Sequence, residues 1–247
     1  MNSINFFSLD SKVPPGHEKM PTDDGTFTFQ SSLFQENCHS TSGAYEETVF
    51  NYIEGTQLKN KLHLPEINIF EVGFGLGYGP LSTFYHLRNY KGQINFYSTE
   101  LDENLLAWFR TSTNNFANKI FPFYQLEKKN ESKSFYVKNE NRTLEIFTGD
   151  IIQNQQMIFE RLQNIHAIFQ DPFSPKKNPT LWTKDWFIQL KKISHETVIL
   201  STYSASQSVH DNLTNAGWII YKAPGFSHKR SSTRATIQSG IYTGPIK

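Results

Sequence analysis

From residue 66 onward the chain alternates short apolar runs with longer runs whose apolar residues recur at helical spacing. "EINIFEV" (66–72), "QINFYST" (93–99), "TLEIFTGD" (143–150), "HAIFQD" (166–171) and "TVILSTYS" (197–204) read as strands. Between them "PLSTFYHLRNY", "ENLLAWF", "IIQNQQMIFERL" and "KDWFIQLKKI" read as helices, and "SVHDNLTNAG" follows the fifth strand as a helix stopped by Gly217. "WIIYKA" (218–223) and "TIQSGIYT" (236–243) are predicted as a terminal antiparallel pair. Strands that alternate with helices predict an open, mostly parallel α/β sheet covered on both faces. The polar, Asn/Lys-rich stretch 110–142 reads as an insertion before the third strand. Upstream, "TFTFQSSLF" (26–34) alternates like a hairpin strand, and "SGAYEETVFNYIEG" (42–55) has helical spacing and ends at Gly55. Residues 1–65 are expected as a β/α extension packed on a domain spanning 66–247.

The first strand of that domain runs into "EVGFGLGYG" (71–79), with Gly73, Gly75, Gly77 and Gly79 at alternate positions. A strand, a glycine turn and a helix form the nucleotide cradle of doubly wound folds, because glycine lets a ligand approach the main chain. The dinucleotide pattern G-x-G-x-x-G, counted from Gly73, fails at Tyr78. A different nucleotide-like ligand is therefore expected, with a plain tight turn as the alternative.

In such sheets ligands bind at the carboxyl ends of the strands, near the point where strand order reverses. The predicted strand ends carry Glu100, Asp150 and Asp171. Glu100 lies 25 residues beyond Gly75 and suits the two hydroxyls of a ribose; Asp150 suits an adenine amino group. Acids there also cap the following helix, a role open to Asp102 and Asp150. The alternating glycines and the terminal hairpin resemble the class I S-adenosylmethionine-dependent methyltransferases, a Rossmann-like sheet ending in an antiparallel pair. Glu71 resembles the acidic start of that class's first motif.

The fourth strand opens into "FQDPFSPKKNPTLWTKDWF" (169–187). Asp-Pro-Phe resembles the Asp/Asn-Pro-Pro-aromatic loop of enzymes that methylate exocyclic amines. A carboxylate there can hold an amine by its N–H groups and take up a proton. Phe173 and Trp182 suit base stacking and core packing equally well. Pro172, Pro175 and Pro179 stiffen the loop.

Composition narrows this picture little. Aromatic residues make up 15% of the chain, 21 of them Phe, which is ample for a large core. The formal net charge is +1, so a nucleic-acid partner has to be met by local basic patches. Lys176–Lys177 and Lys229–Arg230 with Arg234 flank the expected site, whereas Lys128–Lys129 and Lys191–Lys192 read as solvated surface. There is no apolar run long enough for a membrane span, no secretory leader pattern, one cysteine (Cys38) and no spacing for a metal site. A cytoplasmic location is expected.

"DPFSPKKNPTLWT" (171–183), followed by "YKAPGFSHKR" (221–230), closely resembles the bacterial tRNA 5-aminomethyl-2-thiouridine methyltransferase family. Its members stand alone or form the N-terminal half of a bifunctional wobble-uridine modification enzyme. "DGTFTFQSSLFQENCHSTSGAYEE" (24–47) is similar to the N-terminal stretch of the stand-alone branch, and the glycine turn matches its first-strand motif. The resemblance thus touches four motifs across nearly the whole chain. It implies S-adenosylmethionine as methyl donor and conversion of 5-aminomethyl-(2-thio)uridine to its 5-methylaminomethyl form in the anticodon region of tRNA. Asp171 is implied as the catalytic residue. Glu71, Gly73, Gly75, Gly77, Glu100, Leu101, Asp150, Ile151 and Asp171 are implied around the cofactor. Phe173, Lys176, Lys177, Trp182, Phe226, Lys229, Arg230 and Arg234 are implied around the tRNA.

The sequence departs from the family pattern at Pro172 and Ser227, where glycine is usual, at Cys38, where tyrosine is common, and at Ser231, where an acid is expected. Ending at residue 247, the chain is expected to lack the flavin-dependent oxidoreductase half. Two rival readings remain: an amine N-methyl- or aminopropyltransferase acting on a small molecule, which would not need the basic loop 228–234, and a non-catalytic RNA-binding scaffold, which would not need Glu100, Asp150 and Asp171.

Overall fold

The computed structural model describes residues 4–8 and 11–247. The chain begins with a small antiparallel sheet of β1 (His17–Pro21), β2 (Phe27–Ser31) and β3 (Glu36–Asn37). Helix α1 (Ala44–Thr48) continues without a break into a π-helical turn, Val49–Glu54. The main sheet then follows: β4 (Glu66–Val72), α2 (Tyr78–His86), β5 (Gln93–Glu100), α3 (Glu103–Ser112), α4 (Asn115–Ile120), β6 (Glu127–Lys129), β7 (Ser134–Asn139), β8 (Arg142–Thr148) and α5 (Ile151–Phe159). It is completed by β9 (Ile165–Gln170), α6 (Lys184–Ile193), β10 (Ser194–Thr202), α7 (Gln207–Asn215), β11 (Ile219–Pro224) and β12 (Ser231–Thr236).

The nine strands lie in the order β11-β12-β10-β9-β4-β5-β8-β7-β6. The five central strands, β10 to β8, are parallel, and both edges are antiparallel. β4 is followed by β5 on one side, whereas β9 returns to its other side, so strand order reverses between β4 and β9. Asp171, just past β9, donates its N–H to the Val72 carbonyl at 3.0 Å, so the two loops meet at that reversal.

The period of two along β4 fills both faces. Ile67 and Ile69 join a core with α2, α3 and the N-terminal elements; Phe70 and Val72 join a second core with α5, α6 and α7. Every residue of β9 is buried, as expected for a central strand of a covered parallel sheet.

Two elements differ from the sequence reading. The last strand is Ser231–Thr236, not 236–243: "SSTRAT" buries five consecutive residues between β10 and β11, while the Gly240 segment leaves the sheet. The stretch 110–142 is part of the sheet, since β6 and β7 extend it antiparallel beyond β8, and Phe135 and Val137 on β7 are buried. Their alternation was masked by the lysines and asparagines around them.

Candidate active site

The glycine turn leaves β4 at the reversal point with Gly73 at φ +92° and Gly75 at φ +54°. A Cβ on Gly73 would stand 2.7 Å from the Asp171 carbonyl, so side-chain removal here lets the two loops touch. A cavity of about 570 Å³ opens beside them. One wall is Gly73, Gly75, Thr99, Glu100 and Leu101; Gly149, Asp150 and Ile151 follow; Asp171, Pro172 and Phe173 form the opposite wall. The β3–α1 segment and Lys229 close it from above.

Glu100 ends β5 and is buried. Its Oε2 accepts the Gly75 N–H and its Oε1 the Asp102 N–H, both at 2.8 Å. An ionised carboxylate has about four acceptor positions, so two remain for a ligand. Burial, with a smaller like-charge contribution from Asp102, pushes the Glu100 carboxyl up to about 7, although the backbone N–H bonds favour its ionised form. Asp150 caps α5 through Oδ1, accepting the Ile152 N–H at 2.8 Å, and also lines the cavity; Asp102 caps α3 in the same way. The helix-cap role thus uses one Asp150 oxygen and leaves the other.

Asp171 accepts a short hydrogen bond on Oδ1 from the Tyr52 hydroxyl, a residue of the π-helical turn. Burial holds its carboxyl well above the usual carboxylate range, with the Tyr52 bond and the Lys229 charge opposing. The loop beyond it is pinned at several points. The Tyr203 hydroxyl donates to the Pro172 carbonyl and the Trp182 indole N–H to the Phe173 carbonyl, each at 2.9 Å, and the Ser174 N–H donates to Glu36 Oε2 at 3.1 Å. Phe173 stacks on Phe34 with centroids 4.3 Å apart. Proline at 172 costs the loop no hydrogen bond in this arrangement, since the anchors are carbonyls and a neighbouring N–H.

Several residues singled out in the sequence do not face the cavity. Glu71 points with Ile67 and Ile69 to the other face of β4; it is buried under α2, accepts from Ser98 Oγ at 2.6 Å, and burial holds its carboxyl well above the usual range. Gly77 begins α2 and lies against Phe109, whose ring a Cβ would meet at 2.4 Å. Trp182 is buried beneath the 171–183 loop, so it supports that loop rather than presenting a stacking face. Arg234 is buried in the middle of β12, opposite Ser201, and its guanidinium donates to the Thr233 and Thr202 carbonyls. A charge inside a strand cannot meet a phosphate, and the Lys-Arg-x-x-x-Arg spacing gave no sign that a strand intervenes. Phe226 is half-buried against Phe50, outside the cavity lining.

Lys176, Lys177 and Arg230 lie on loops and point to solvent. Lys229 is also exposed, but its Nζ reaches back over the cavity rim, 2.9 Å from Glu47 Oε1 and 4.8 Å from the centre of the Tyr203 ring. Tyr52, Glu47, Tyr203 and Phe34 had no assigned role in the sequence reading. Glu47 falls in the N-terminal stretch that carried the family resemblance; nothing in the sequence marks Tyr52 or Tyr203 as site residues. Cys38 lines the cavity, but burial and the carboxylates around it push its thiol far up, so it stays a neutral thiol. Among the described residues no group of three or more His, Cys, Asp or Glu could hold a metal ion, and no helix is long and apolar enough to cross a membrane.

Residues 111–238, just over half of the chain, match a family described as S-adenosyl-L-methionine-dependent methyltransferase. The chain belongs to this family. This methyltransferase is 28% identical over 235 residues to the tRNA 5-methylaminomethyl-2-thiouridine biosynthesis bifunctional protein MnmC of Legionella pneumophila, covering 84% of the chain and 34% of that protein. The MnmC of Campylobacter hominis is 31% identical over 184 residues, 72% of the chain and 26% of that protein. The chain thus spans about a third of the length of the curated relatives it matches. The crystal structure of MnmC2 from Aquifex aeolicus superposes with a TM-score of 0.77 at 24% identity, over 98% of the chain and 75% of that one, and shares its fold.

The site fits the methyl donor of this methyltransferase family. The cavity falls within the range of small-ligand sites, about 300–1,000 Å³. It joins a glycine wall open to close approach, a carboxylate with free acceptor positions, and the apolar side chains of Leu101 and Ile151.

Proposed function

We propose that this methyltransferase acts on the primary amine of 5-aminomethyl-(2-thio)uridine at the tRNA wobble position, giving the 5-methylaminomethyl product. The observation that carries the reading is Asp171, held at the strand reversal in contact with the glycine turn and followed by Phe173 at the cavity wall. The names of the relatives support the choice of nucleoside. Nucleoside analysis of hypomodified tRNA treated with this chain and a labelled methyl donor tests it.

Glu100 would hold the ribose hydroxyls of S-adenosylmethionine, Gly73 and Gly75 would admit its close approach, and Asp150 with Ile151 and Leu101 would border its adenine. When bound, this cofactor supplies an electrophilic methyl group on a sulfonium. An alkylammonium has no lone pair to offer it, so the amine must be neutral when it reacts. Asp171 Oδ2, the oxygen not engaged by Tyr52, accepts the amine N–H and can take its proton. The raised affinity of this half-buried carboxylate for a proton suits that task better than a fully exposed acid would. Phe173 offers a face to the uracil ring, and the anchors on the Pro172 and Phe173 carbonyls keep the loop in one position.

The solvent-facing cations bear the electrostatic part of tRNA binding. Replacing Lys176, Lys177 and Arg230 by alanine is expected to weaken tRNA binding and to lower its salt slope by roughly one for each phosphate no longer neutralised. Donor affinity should stay at the wild-type value. Filter binding across a salt series measures both quantities. An unchanged slope would move the tRNA-facing surface elsewhere.

A further inference from the structure

We propose that Tyr52 is a positioning residue for this reaction: its hydroxyl, carried by the π-helical turn, fixes Asp171 through Oδ1 and keeps that carboxylate available, through Oδ2, to receive the proton of the substrate amine. The inference rests on the aminomethyluridine reading for its substrate, but its structural basis is independent of it.

α1 widens into a π-helix over Val49–Glu54, a rare conformation that recurs at functional sites. The widened turn is tied to the sheet by Ser201 Oγ of β10, which donates to the Asn51 carbonyl, and is closed locally by Thr56 Oγ1, which donates to the Tyr52 carbonyl. Gly55 leaves no room between them, since a Cβ there would stand 2.6 Å from Arg234 Nε. Tyr52 also stacks on Phe169 of β9, centroids 5.1 Å apart, so its ring is held on the strand that leads into Asp171. A buried phenol aimed by this much structure at one carboxylate is not simply filling space.

Arg234 is buried with its Nε unpartnered and faces Tyr52 and Tyr242, with no carboxylate bonded to it among the described residues. Its positive charge favours negative charge on the phenols it faces, Tyr52 among them. Asp171 is otherwise faced by Glu47 of α1, Lys229 of the β11–β12 loop, Cys38 after β3, Tyr203 after β10 and Glu71 of β4. Lys229 is already engaged by Glu47 at 2.9 Å, so Tyr52 is the group that donates a hydrogen bond to the Asp171 carboxylate.

The ammonium N–H bond of the substrate breaks, its proton goes to Asp171 Oδ2, and the electron pair stays on nitrogen for the methyl group. Tyr52 keeps its own proton throughout. Its hydrogen bond favours the ionised carboxylate, so removing it raises the pH at which Asp171 becomes able to accept.

The test is Tyr52→Phe in the full chain. Single-turnover methylation of hypomodified tRNA at saturating donor is followed from about pH 5.5 to 9, and the Asp171 carboxyl is titrated by 13C NMR, assigned with Asp171→Asn. The acidic limb of the rate profile and the Asp171 titration are both expected to move up by about one pH unit, which is about a tenfold rate loss on that limb. Donor affinity and melting temperature should stay close to wild type. A rate loss with both curves unmoved would mean a packing role and overturn the inference. If wild type methylates no tRNA, the substrate reading fails; the carboxyl titration still decides the role of Tyr52, since an unmoved curve refutes it.

Discussion

Asp171→Ala is expected to lower single-turnover methylation at saturating donor by roughly 10²-fold or more, the range for a positioned acid–base group. Alanine removes both the oxygen proposed to hold the amine and the acceptor of the Tyr52 hydroxyl. Asp171→Asn keeps the shape and one acceptor and should lose less, because alignment of the amine survives in part. The wild-type rate should rise with pH through a limb lying above the usual carboxylate range, since burial raises the Asp171 carboxyl and only its ionised form takes a proton. That limb should vanish in Asp171→Asn. Donor affinity should largely survive both changes. A near-normal rate in Asp171→Ala, read by quenched-flow assay, would leave proton removal to solvent or another group.

Glu100 gives the second large effect, on the cofactor. Its carboxyl moves from 4.5 to about 7 on folding because of burial. The folded chain therefore holds this proton more tightly than the unfolded one. The resulting penalty on the donor-free protein grows as pH rises from about 4.5 to 7 and is constant above. In the proposed role at the ribose, Glu100 binds the hydroxyls best when ionised, so donor affinity should strengthen as pH rises toward about 7, level off above it, and bring proton release below it. Glu100→Ala should weaken donor binding by about 1–3 kcal/mol, the scale for charge-assisted hydrogen bonds. It also frees the Gly75 and Asp102 N–H groups. Glu100→Gln should flatten the pH dependence. Calorimetry in buffers of different ionisation enthalpy reads affinity and proton release together; a pH-independent affinity in wild type would take Glu100 off the ribose.

What the sequence made legible was local. The alternation of β4 and the glycines after it, the acid closing β5, and the stiff loop after β9 are patterns of neighbouring residues, and the parallel sheet turns them into one cavity. What it hid depends on partners far along the chain. Tyr52 meets Asp171 across 119 positions, and Glu47 meets Lys229 across 182. Arg234 and Trp182 read as ligand-facing because an arginine beside a basic pair and a tryptophan in a loop are usually solvent-accessible; here a strand and a loop close over them. Glu71 was misplaced by a single step of the strand, since the period of two sends it under α2 while its neighbour Val72 borders the cavity.

Methyl transfer to the aminomethyl group of wobble uridine is the proposed reaction. It is tested by incubating the chain with labelled S-adenosylmethionine and tRNA from a strain that accumulates 5-aminomethyl-2-thiouridine, then separating the nucleosides. The label is expected in 5-methylaminomethyl-2-thiouridine, appearing as the precursor disappears, with Asp171→Ala slower by the factor given above. Label recovered in a different nucleoside or only in a small-molecule amine, or no transfer by a folded chain that binds the donor, would contradict it.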